Sequence, residues 1–161
     1  MLENDFGTRL AASPRETTPD KGGYPGGLVA FTLNTAKHCK VFNKNVDLRS
    51  LLRVALVHEL GKLGATEHEL FLVEESDWHR DKLGRHYKYN DSCPKMSTAH
   101  RSLYYAAQYG LHLNEDEWVA VATSAGFQYD ENRFYANENL VLAQSLHAAR
   151  AFALCELAAQ S

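Results

Sequence analysis

Hydrophobic positions recur at helical spacing over most of the chain. Leu28, Phe31, Thr35, Cys39 and Phe42 lie three and four residues apart, which predicts an amphipathic helix over 28–42, with Pro25-Gly26-Gly27 punctuating its start. Asp47 is placed to cap a second helix over 47–64, whose middle, Leu51 to Leu60, is apolar nearly all round. Such a helix belongs at the centre of a fold. Gly61 and Gly64 lie near its end, where glycine serves as a left-handed cap. Ser97 caps a helix closed by Gly110, and Asn114 with Glu117 makes a capping-box-like start to another that ends at Gly126. A turn-rich stretch over 127–139 leads to a last helix over 140–158.

Two regions break the pattern. Residues 1–23 are polar and punctuated by Pro14, Pro19, Gly22 and Gly23, so they read as a flexible N-terminal arm ahead of a helical domain over 24–161. Residues 65–96 are charged and aromatic with no clean period, and a connection of that length is a binding loop, a lid or disorder. No repeat and no convincing alternating strand is present. The expected architecture is all-α, a compact bundle of about five helices with a long loop after the second.

Composition narrows the function classes. The 161 residues suit one domain, and 45% hydrophobic with 23% charged residues excludes wholesale disorder. A net charge of -3 argues against a dedicated nucleic-acid binder. Three cysteines, Cys39, Cys93 and Cys155, show no metal-type pairing and argue against a disulfide framework. The first residues lack the apolar core of a signal peptide, and no apolar run reaches about 18 residues. These features predict a reducing, cytoplasmic setting and no membrane partner.

The charged pair His58-Glu59 stands out inside the apolar second helix, because buried charge is costly unless paired or metal-bound. The run His58-Glu59-Leu60-Gly61-Lys62 begins like a His-Glu-x-x-His zinc motif, but Lys62 replaces the second histidine. A zinc-protease reading fails there.

Three landmarks in order point elsewhere: Gly26-Gly27-Leu28, the His58-to-Lys62 segment, and Leu146-His147-Ala148-Ala149-Arg150. Together they resemble the HD-domain metal-dependent phosphohydrolases, in particular the short versions found in phages and bacteria. In that family "GGL-x-x-H-S-L" supplies the first metal histidine, "HD-x-G-K" the second histidine and an aspartate, and "LH-x-A-D" the closing aspartate. The segment from Asp77 through Trp78, Leu83-Gly84 and Tyr87 to Asn90 is similar to the family's connecting loop, and His100-Arg101-Ser102-Leu103 to the opening of its next helix. The resemblance spans roughly residues 24–158 and implies an HD-like helical fold and a phage-encoded protein.

The departures bear on the chemistry. Phe31 stands where the resemblance expects the first metal histidine, Glu59 replaces the aspartate of the HD pair, and Arg150 replaces the closing aspartate. Ser124-Ala125-Gly126 stands where relatives carry a polar His or Asp before Gly. A divalent ion needs several deprotonated donors at about 2.0–2.4 Å. Phe31 has no lone pair, and the permanent cation of Arg150 repels an ion. The expectation is therefore a catalytically degenerate protein with no cofactor, in which Arg150 enters the former metal site and forms a bidentate pair with Glu59.

Such a pseudoenzyme would act as a binding or regulatory protein for a nucleotide-like anion or a protein partner. Its expected ligand-binding residues are Lys62 and His100 with Arg150, and Arg80, Lys82, Arg85 and Tyr87 from the basic-aromatic loop. Solvated-loop and helix-start roles stand beside these readings for the same residues. The rival is a working phosphohydrolase of nucleotides or related phosphoesters, with His58, Glu59, Lys62 and His100 catalytic. There His58, Glu59, His100 and His147 would hold Mn, Fe, Mg or Zn. A third reading is a structural component of an oligomeric assembly; the aromatic runs Tyr104-Tyr105, Tyr109, Phe127, Tyr129, Phe134 and Tyr135 read as core and loop packing or, in part, as a homo-oligomer face.

Overall fold

In the computed structural model, which describes residues 2–160 and side chains from Asp5 onward, the chain is mostly helical. It runs through α1 (Leu2–Ala12), α2 (Gly27–Cys39), α3 (Leu48–Val57), β1 (Phe71–Val73), α4 (Asp77–Leu83), β2 (Tyr87–Tyr89), α5 (Thr98–Gln108), α6 (Glu115–Ala122) and α7 (Val141–Ala159). Short 310 turns cover Pro19–Lys21, Leu60–Leu63 and Asp130–Tyr135. Among the described residues none of the helices is long and apolar enough to cross a membrane.

The sequence-predicted caps are in place. The Asp47 carboxylate accepts from Ser50 N at 2.9 Å and Ser97 Oγ from His100 N at 3.1 Å. Asn114 and Glu117 exchange both bonds of a capping box. Each satisfies first-turn N–H groups that have no partner within the helix.

Three expectations need correction. The second helix stops at Val57, so His58-Glu59 lies on the turn that follows, ahead of the 310 turn, rather than inside a helix. The absence of strands fails as well. Residues 65–96 contain a two-stranded antiparallel sheet, Phe71 opposite Tyr89 and Val73 opposite Tyr87, with α4 between the strands. Elements of three and seven residues are too short to imprint a period on the sequence. Within 1–23, α1 covers Leu2–Ala12, and Arg15 is buried, its Nη1 donating to Lys21 O at 3.1 Å. The described residues form seven α-helices, not about five.

The chain divides into two compact units. The first comprises Met1–Thr32, Lys62–Lys95 and Leu154–Ser161; the second comprises Leu33–Gly61 and Met96–Ala153. The second holds the main hydrophobic core, where Leu51, Val54 and Ala55 of α3 meet Ala120 and Val121 of α6 and Leu146 and Ala149 of α7. On α7 the buried residues Ala143, Leu146, Ala149 and Ala153 form a stripe of mostly small side chains at helical spacing. In the first unit Leu28, Phe31, Leu63 and Phe71 are buried. There a Cβ on Gly27 would collide with the Gly22 carbonyl, so the second glycine of the Gly-Gly-Leu landmark is a packing requirement.

Candidate functional site

The turn after α3 is fixed from below by α5. Gly61 N–H donates to Ser102 Oγ at 2.8 Å, and that hydroxyl lies within bonding distance of the carbonyls of Thr98 (2.8 Å) and His58 (3.0 Å). A Cβ at Gly61 would strike the Thr98 carbonyl, so only glycine allows this approach. The result presents His58 and Glu59 from a rigid turn, both fully or almost fully buried.

His58 Nδ1 lies 2.8 Å from the Ala55 carbonyl. A carbonyl only accepts, so Nδ1 carries the proton. Glu59 meets Arg150 of α7: Nη2 and Nε donate to the same oxygen, Oε1, at 3.1 and 3.3 Å. The pair expected from the sequence is present, but as two donors on one oxygen rather than the fork-to-fork arrangement. The Glu59 side chain is 2% exposed and that of Arg150 22%, so the acid is enclosed and the guanidinium reaches the surface.

His147 sits one turn before Arg150 on α7. Its ring packs edge-on against Phe127 with centroids 4.6 Å apart, and its Nε2 is buried with no hydrogen bond of normal geometry among the described residues. Burial pushes its pKa below the usual 6.5. The Thr123 backbone opposes this, and the Arg150 charge reinforces it.

The other candidates have partners of their own or are exposed. Lys62 is in the first unit, where Nζ pairs with Glu16 and lies 5.8 Å from the Phe71 ring centre. Tyr89 OH donates to the other Glu16 oxygen at 3.1 Å. The His100 side chain is exposed in the first turn of α5. Phe31 lies beneath the guanidinium of the buried Arg15, 3.9 Å from ring centre to Cζ.

The basic-aromatic loop is largely neutralised. Arg80 pairs with Asp77, His79 Nδ1 lies 3.1 Å from a Glu74 oxygen, and Lys88 lies 3.8 Å from Glu75. Glu74 is held below its ordinary pKa chiefly by the Ser76 N–H, with His79 assisting. Lys82 and Arg85 are exposed without an ion pair among the described residues, and burial raises the Tyr87 phenol.

The donor set does not fit the metal of the resembled family. Among the described residues no three His, Cys, Asp or Glu side chains converge to hold an ion. On Glu59, next to His58 in the chain, an arginine already occupies an oxygen. The set His58, Glu59, His100 and His147 is therefore not brought together as a chelate.

Sequence reasoning passed over Arg15, Glu16 and Ser102. Arg15 and Glu16 sit in a stretch whose polarity read as an arm. Ser102 was noticed only as part of a resemblance, although a serine one turn into a helix beside a Gly-containing turn is a signal for close packing. Compared with protein families, curated proteins and solved structures, the chain finds no match.

Proposed function

We propose that this chain is a catalytically degenerate relative of the HD-domain phosphohydrolases that works as a binding or regulatory protein. The observation that supports this reading is the Glu59–Arg150 pair. A fixed cation on a buried carboxylate supplies the positive centre that an ion supplies in a hydrolase, without generating hydroxide. Arg150 Nη1 has no hydrogen-bond partner among the described residues, and the side chain is partly exposed. It offers a directional donor to a nucleotide-like anion or to an acidic group of a protein partner.

The test is elemental analysis of the purified protein, with phosphate release from a nucleotide panel in the presence of manganese. The reading expects metal far below one equivalent and no release above the level of the His58→Ala variant. Stoichiometric manganese, iron, magnesium or zinc, with turnover abolished by His58→Ala, overturns it. Thermal-shift screening with the same nucleotides addresses the anion: stabilisation that disappears in Arg150→Met is expected, and stabilisation that persists removes Arg150 from binding.

A further inference from the structure

We draw no further inference here: the strongest candidate, the cavity of about 430 Å³ between the N-termini of α3, α6 and α7 in the second unit, rests on those helix ends and the Asp47 and Asp116 carboxylates alone, and nothing in the structure shows what occupies it.

Discussion

Three residues apart on one turn, Glu59 and Lys62 enter ion pairs of different character. In the second unit, the Glu59 side chain is 2% exposed and pairs with Arg150, itself 22% exposed. In the first unit, Lys62 and Glu16 are 12% and 20% exposed, so both ends keep some water. A carboxylate that keeps 2% exposure has less water to turn to when its cation is removed than one that keeps 20%. The first pair defines an interior; the second ties the lead-in segment to the turn. Charge in a sequence therefore says little about energetic weight until burial is known.

The largest effect is expected at Arg150. Arg150→Ala should destabilise the protein by about 1.5–3 kcal/mol, the usual worth of charge-assisted hydrogen bonds to a buried carboxylate, as measured by equilibrium denaturation. Pairing Arg150→Met with Glu59→Gln should recover most of that loss, because the remaining group is neutral. A single-variant loss below about 1 kcal/mol would place Arg150 among ordinary surface pairs and erase the contrast with Lys62.

How far this was legible follows from the length of each signal. The caps at Asp47, Ser97 and Asn114 were readable because an N-cap is a local chemical requirement, met within three residues. The long apolar stretches of α2, α3 and α7 were readable from their spacing. The α3 terminus was not, since Leu60 continues the apolar pattern although the helical backbone has ended at Val57. The β1–β2 pair was hidden because three residues cannot display alternation and because its partners lie 16 residues apart in sequence, as Leu72 and Lys88 do. Within the candidate site, the pairing of Glu59 with Arg150 was legible only through the resemblance, which sets them at the positions of its two aspartates. Arg15 gave no such cue, because a cation in a Pro- and Gly-rich stretch looks the same whether it lies over Phe31 or in water.

The second pair gives a smaller number. A double-mutant cycle with Lys62→Met and Glu16→Gln should return a coupling energy of about 1 kcal/mol, since both partners are only partly buried. It should shrink further in high salt, since ions reach a partly exposed pair. Coupling of about 3 kcal/mol that ignores salt would show the two pairs to be energetically alike.

The smallest effect is a pH dependence that reports on Arg150 from the inside. His147 has its pKa lowered in the fold, chiefly by burial and further by the Arg150 charge. The unfolded chain therefore takes up this proton more readily than the folded one. The neutral-His147 contribution is complete above the unfolded value near 6.5 and is lost as pH falls through it toward the lower folded value. Thermal midpoints of the wild type should drop more steeply below pH 6.5 than those of His147→Phe, with the two curves parallel above pH 7.5. In Arg150→Met the repulsive charge is gone, so the His147 NMR titration should move upward and the excess slope should diminish. An unchanged titration would mean that burial alone sets His147 and that the guanidinium is too well screened by Glu59 to be felt one helical turn away.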